Sequence, residues 1–211
     1  MHPLLNVALM GHSSSHEEFT YAFGLYRLKA YCEQLGLPHA LTVFDRASDD
    51  DEDEDFALLC KHAPDVIGLS AYIWSLPRVV RLVSRLRQAL PEVLIVVGGP
   101  SASGFEELAI DASRPDLLVI GFGERTFANI LTTYAAGELD ARIEEVGDLI
   151  SHRGEHPIRY RLARPAEDLD AYPSPYLLGM IDPKGRSTLY IETDRGCPYS
   201  CAFCIESTAP N

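Results

Sequence analysis

Apolar runs and helix-period segments alternate along the chain from residue 4 to about residue 136. Residues 4–10 are apolar enough for a first strand. Phe19, Ala22, Phe23, Tyr26 and Ala30 then recur at helical spacing and predict a helix to about Leu35, ended by Gly36 and kept from continuing by Pro38. Residues 40–44 predict a second strand, 56–61 a short helix and 66–70 a third strand. Val79, Val83, Leu86 and Leu90 mark one face of the next helix. Residues 93–97 are continuously apolar, as in a strand buried on both faces. Ser103 and Glu106 have capping-box spacing, with Phe105, Leu108, Ala109 and Ala112 as the stripe behind them. Residues 117–120 predict a fifth strand, and Phe127, Ile130, Leu131 and Tyr134 the last helical stripe.

Strict alternation of five strands with helices implies a parallel sheet covered on both faces. The expected fold is a flavodoxin-like, doubly wound α/β sheet of five parallel strands in the order 2-1-3-4-5. Ligands of such sheets bind at the carboxyl ends of the strands, near the switch point between the first and third. The character changes after Gly137. Residues 138–165 are mixed and polar, with a hairpin signal around Gly154, and Pro165, Pro173 and Pro175 punctuate an extended stretch. Residues 187–193 read as a new strand. The expected organisation is therefore a first domain over 1–137, a linker or strap over 138–186, and the start of a second domain over 187–211.

Composition changes this picture in two ways. The net charge of -13 argues against nucleic-acid binding, which needs a basic footprint, and against attraction to an anionic membrane. Much of that charge lies in one run of acids, residues 49–55, read as a solvated loop. No segment reaches the ~18 apolar residues of a membrane helix. No basic stretch precedes an apolar run at the N-terminus, so no signal peptide and a cytoplasmic location are expected. Thiols stay reduced there, which fits five cysteines of which three cluster near the C-terminus.

Those three, Cys197, Cys201 and Cys204, form a C-x3-C-x2-C set. Thiolates suit iron–sulfur clusters, zinc or copper(I). Three ligands on a four-iron cluster leave one iron open to a small molecule. A structural zinc site usually takes four ligands, and no fourth cysteine or histidine lies close downstream. Cys32 and Cys60 read as small core residues.

The string Glu192-Thr193-Asp194-Arg195-Gly196-Cys197-Pro198-Tyr199-Ser200-Cys201-Ala202-Phe203-Cys204 resembles the signature of the radical S-adenosylmethionine (radical SAM) superfamily. The resemblance implies a 4Fe-4S cluster on the three cysteines, with S-adenosylmethionine chelated to the open iron and Phe203 near its adenine. One electron, from a donor such as flavodoxin or ferredoxin, would cleave the sulfonium and release a 5′-deoxyadenosyl radical.

Four loops should gather at the carboxyl edge of the first domain: residues 11–15, 70–74, 98–101 and 121–124. A strand ending in Gly68-Leu69-Ser70-Ala71-Tyr72, then Val96-Val97-Gly98-Gly99-Pro100, then Gly121-Phe122-Gly123-Glu124, is similar to the cobalamin-binding domains that precede many radical SAM domains. The resemblance covers residues 4–136 and runs through Pro173-Ser174-Pro175-Tyr176 to Cys204. It implies that Ser70, Tyr72 and Trp74 line the corrin or its nucleotide tail. Gly98, Gly99, Pro100 and Ser101 would wrap the tail, and Gly121, Gly123 and Glu124 would contact the tail or corrin amides. Packing alone would also explain Tyr72 and Trp74, and a favourable charge at a helix N-terminus would explain Glu124.

Cobalamin domains of the methionine synthase type carry Asp-x-His-x-x-Gly after the first strand. Here the loop reads Met10-Gly11-His12-Ser13-Ser14-Ser15-His16, so no histidine ligand to cobalt is expected, and His12 and His16 read as polar residues of a loop and a helix start. The resemblance thus implies the N-terminal part of a cobalamin-dependent radical SAM enzyme, cut off just after the cysteines and lacking most of the catalytic barrel. Methyl transfer, radical rearrangement or ring chemistry would follow in the intact enzyme. The alternative is a non-enzymatic flavodoxin-like binding module whose C-terminal cysteines hold a structural zinc.

Overall fold

The computed structural model describes residues 4–14, 21–102, 114–161, 168–184, 186, 188–195 and 201. Its core is one seven-stranded sheet in the order β2-β1-β3-β4-β5-β6-β7. The strands are β1 (Asn6–Ser13), β2 (Ala40–Ala47), β3 (Val66–Ser70), β4 (Leu94–Gly98), β5 (Leu117–Val119), β6 (Leu149–Ser151) and β7 (Ile158–Tyr160). The first five are parallel, in the flavodoxin-like order expected from the alternation.

Two cores follow from the period of two along each strand. Val7 and Leu9 of β1, Leu94 and Val96 of β4, and Leu117 and Val119 of β5 face one layer. There they meet α1 (Phe23–Gln34) and α4 (Glu124–Ala135). Ala8, Met10, Ile67, Leu69, Ile95 and Val97 face the other, with α2 (Glu52–His62) and α3 (Leu76–Ala89). Helix α3 buries Leu76, Val79, Leu82, Val83 and Leu86, an i, i+3, i+6, i+7, i+10 stripe. Each such aliphatic side chain contributes ~1.5–3 kcal/mol on leaving water. Pro77 fits the first turn of α3, where no intrahelical amide donor is needed.

The acid run is not a solvated loop. Asp51 caps α2, accepting from the Asp53 amide at 2.9 Å, and Glu52, Asp53, Glu54 and Asp55 form its first turn. Carboxylates there oppose the positive end of the helix dipole, and Lys61 and His62 oppose the negative end. Asp55 is fully buried and faces the sheet.

The segment after Gly137 also departs from a simple strap. The hairpin signal around Gly154 corresponds to β6 and β7, and β6 pairs antiparallel with β5 through Leu118 and Ile150. The sheet therefore runs on to Tyr160, past the expected boundary at Gly137. Gly147, between the single-turn helix α5 (Ile143–Val146) and β6, is required by space: a Cβ there would lie 2.2 Å from Thr126 Oγ1. Residues 188–193, read as a strand, form no ladder among the described residues; extended apolar residues become a strand only beside a partner. The helix expected behind Ser103 falls outside the described residues.

Candidate functional site

The carboxyl ends of β1, β3, β4 and β5 open into a cavity of about 720 Å³. That is within the ~300–1,000 Å³ common for small-molecule sites. The first turns of α1 close one side, and residues 190–195 cross over it as a strap. The strap is tied down by a hydroxyl knot. The Tyr21 and Tyr176 hydroxyls hydrogen-bond each other, the Tyr190 amide donates to both, and the Tyr176 hydroxyl donates to the Tyr190 carbonyl at 3.1 Å. Burial, then the hydrogen bond with Tyr21, pushes the Tyr176 phenol up to about 12.

Most sequence-predicted residues of the first domain converge here. From β3 come Ser70, Tyr72 and Trp74; from β4 come Gly98, Gly99 and Pro100; from the β5–α4 turn come Gly121, Gly123 and Glu124. Ser101 stands just outside the lining, its amide donating to the Ala71 carbonyl at 3.0 Å. Gly99 has φ +101°, and a Cβ on it would lie 2.8 Å from the Ala71 carbonyl oxygen. Only glycine lets the two loops cross this closely.

Tyr72 and Trp74 are stacked, with centroids 4.7 Å apart and planes at 11°. Trp74 Nε1 donates to the His12 carbonyl at 2.9 Å, which fixes the indole while it stays 47% exposed. The pair is thus a flat, prebuilt wall, not core packing. Burial, then the nearby Tyr190, raises the pKa of Tyr72, so its phenol stays a neutral donor.

His12 is neither loop nor surface. It lies in β1 with the parity of Ala8 and Met10, and its Nε2 meets Asp55 Oδ2 at 2.7 Å on the α2–α3 side. Arg46 Nε reaches the other Asp55 oxygen at 2.7 Å, and Arg78 Nε lies 3.0 Å from Oδ2. The described histidine of this loop thus has its Nε2 engaged by Asp55, while the residue still borders the cavity. His16 lies outside the described residues.

Glu124 lines the cavity at the first position of α4, but arginines hold its carboxylate. Arg195 contacts it at 2.5 Å and 3.2 Å, and Arg27 Nε at 3.4 Å. Both arginines also reach Glu192, Arg195 at 3.0 Å and Arg27 at 2.9 Å. Sequence reading gave Arg27 and Arg195 no role of their own; Arg27 carried no signal, and Arg195 stood only as the residue before Gly196-Cys197.

Cys201 is exposed and unpaired with another cysteine, whereas Cys197, Cys204 and Phe203 lie outside the described residues. Among the described residues, no three histidine, cysteine or acidic side chains converge as a metal site, and no helix is long and apolar enough to cross a membrane. Cys32 is buried in the α1 core, as expected, and Cys60 is partly buried.

A flat aromatic wall, glycine-edged loops and backbone amides suit a large planar ligand with an amide rim. Comparison with known proteins agrees. Residues 15–131 match the B12 binding domain family model. The chain is 34% identical over 154 residues to the cobalamin-dependent radical SAM methyltransferase TokK of Streptomyces tokunonensis, covering 67% of this chain and 22% of that protein. It is 34% identical over 151 residues to the hopanoid C-3 methylase of Methylococcus capsulatus, covering 67% and 28%. The chain thus spans under a third of the length of these relatives. Among solved structures, the cobalamin-dependent S-adenosylmethionine radical enzyme OxsB, with aqua-cobalamin and S-adenosylmethionine bound, superposes with a TM-score of 0.72 at 21% identity, covering 95% of this chain and 28% of that one.

Proposed function

The chain belongs to the B12-binding domain family, and from that premise we propose that it is the cofactor-holding part of a cobalamin-dependent radical SAM methyltransferase. Cobalamin would occupy the cavity at the carboxyl edge. Cys197, Cys201 and Cys204 would hold a 4Fe-4S cluster whose open iron takes S-adenosylmethionine, with Phe203 beside the adenine. When bound, these groups supply a transferable methyl group and a one-electron route to a substrate radical; the protein supplies binding and orientation.

One observation carries the reading. The strap that covers the cavity is the segment that leads directly into the cysteines, so a ligand in the cavity lies against the entry to the cluster loop. In that arrangement Tyr72 and Trp74 present a flat face to a corrin. Gly98, Gly99 and Pro100 let backbone approach the nucleotide tail, and Ser70, Ser101, Gly121 and Gly123 offer small groups around it. Glu124 braces the wall through its arginines. The β1 loop lacks the Asp-x-His-x-x-Gly pattern and Asp55 engages Nε2 of His12, so no histidine ligand to cobalt is assigned. Methyl transfer is favoured by TokK and the hopanoid methylase, both methylating enzymes by name.

The test is anaerobic reconstitution of the 211-residue chain with iron and sulfide, followed by hydroxocobalamin titration and EPR. We expect one cobalamin retained per chain, about four irons, and a reduced-cluster spectrum that shifts with S-adenosylmethionine. Tightly bound zinc with no cobalamin retained would overturn the proposal in favour of a plain binding module.

A further inference from the structure

Four charged side chains from three parts of the chain form a closed lattice between strap and sheet: Arg27 of α1, Glu124 at the start of α4, and Glu192 and Arg195 of the strap. Their side chains are 12%, 8%, 26% and 5% exposed. Two positive and two negative charges leave the group neutral, so each desolvated ion has a partner. Arg195 is the hub. Its guanidinium takes both oxygens of Glu124 and both of Glu192, and its face lies 4.0 Å from the centre of the Tyr172 ring and 4.8 Å from that of Phe122. Only a planar fork meets two carboxylates and two rings at once; lysine cannot.

We propose that Arg195 is a positioning residue that clamps the strap to the N-terminus of α4, so that filling of the cavity is sensed at the cysteine loop. Arg195 stands two residues before Cys197, and Glu124 is at once its anchor and part of the cavity wall. The strap has no ladder among the described residues, so its position depends on side chains: the tyrosine knot at Tyr190 and the arginine lattice at its far end. A ligand that presses on the β5–α4 turn therefore moves the anchor of Arg195. This inference rests on the proposed cofactor assignment for its purpose, but the clamp itself is a property of the chain alone.

Trypsin reads the clamp directly, because cleavage after Arg195 requires its side chain to leave the lattice. In the cofactor-free chain, Glu124→Gln should speed cleavage of the Arg195–Gly196 bond at least tenfold, with cleavage after the exposed Arg142 unchanged. Arg195→Lys keeps the charge but loses the fork, and should speed cleavage at the same bond similarly. In the reconstituted chain, hydroxocobalamin should change the EPR line shape of the reduced cluster. Glu124→Gln should abolish that change while iron content and cobalamin occupancy, read by absorbance, are both kept, so that lost coupling is distinguished from lost binding. Cleavage within twofold of wild type in both variants overturns the clamp. An undiminished cobalamin-dependent EPR change in Glu124→Gln overturns the coupling. A wild-type chain that binds neither cobalamin nor iron refutes the cofactor assignment, and the proteolysis rates still decide the clamp.

Discussion

Removing the carboxylate of Asp55 should be among the most destabilising single changes outside the hydrophobic core. Asp55 has no exposed surface and accepts from His12 Nε2 at 2.7 Å, Arg46 Nε at 2.7 Å, and Arg78 Nε and Nη2 at 3.0 Å and 2.5 Å. In Asp55→Asn, one oxygen becomes an NH2 that faces a guanidinium or imidazole N–H. Breaking a buried pair from one side costs ~3–5 kcal/mol, because the partner charge stays buried. Two features favour the lower end. Arg46 retains Asp50 at 3.2 Å and Glu54 at 2.5 Å. Arg78 retains the carbonyls of Ser48 at 3.2 Å and Asp50 at 2.7 Å. About 3 kcal/mol at a urea slope of ~2 kcal/mol per molar moves the midpoint down by ~1.5 M.

Urea unfolding followed by circular dichroism at pH 7 measures this, and acid sharpens it. Burial alone would raise the pKa of Asp55, but the hydrogen bonds from His12 and Arg46 outweigh it and hold the carboxyl below its ordinary 3.8. A depressed folded pKa means that the stabilisation is full above the unfolded value and is lost as pH falls through the folded one. The gap between wild type and Asp55→Asn should therefore be widest near neutral pH and shrink below pH ~4. A midpoint shift under ~0.5 M at pH 7, or a gap that widens in acid, would refute the reasoning.

Gly99→Ala forces a Cβ to 2.8 Å from the Ala71 carbonyl oxygen at φ +101°. It should cost ~1–3 kcal/mol in urea unfolding and weaken hydroxocobalamin binding at least tenfold in absorbance titration. Trp74 is the sole tryptophan, so bound hydroxocobalamin should quench most of the protein's indole emission. Trp74→Ala should loosen binding roughly twofold to thirteenfold, the ~0.5–1.5 kcal/mol of one aromatic contact. Burial pushes the Cys32 thiol up to about 12, whereas Cys201 is exposed. Iodoacetamide at pH 8 should label Cys201 and spare Cys32 in the native chain and label both in urea, as read by peptide mass spectrometry.

What could be read from the sequence was whatever short-range periodicity controls. Five parallel strands were visible because strands covered on both faces must be apolar throughout; the 2-1-3-4-5 order was expected by analogy with flavodoxin-like sheets, since right-handed crossovers fix the hand of each connection but not the order. The hairpin of β6 and β7 was half visible: three-residue strands are too short for a period, and their place beside β5 is a long-range fact. The burial of Asp55 was hidden by its neighbours, since seven acids in a row look uniformly solvated. A signal was nonetheless present. Asp55 lies one helical turn before Leu59, which is wholly buried, and His12 has the parity of Ala8 and Met10. A carboxylate and an imidazole aimed at one core layer need each other. No comparable signal joins Glu124 to Arg195, which are 71 residues apart and meet only once the strap has crossed the sheet edge.

The site thus has two halves of different mechanical character. The sheet edge is held by backbone ladders, and its loops end in glycines whose positions those ladders dictate. Among the described residues the strap is held without a ladder: the Tyr21 and Tyr176 hydroxyls bind the Tyr190 backbone at one end, and Arg27 and Arg195 hold the other. The strap shares no ladder with the sheet among the described residues, so it can open locally while the sheet stays folded. A ligand that touches both halves is stabilised by the closed form and stabilises it in return, by the linkage that couples any binding equilibrium to the state that binds. Hydroxocobalamin should therefore slow tryptic cleavage after Arg195 in the wild-type chain, in proportion to its occupancy of the cavity, while leaving the urea midpoint of Asp55→Asn below that of wild type. Closure of the strap and integrity of the sheet are separate equilibria, and the ligand acts first on closure.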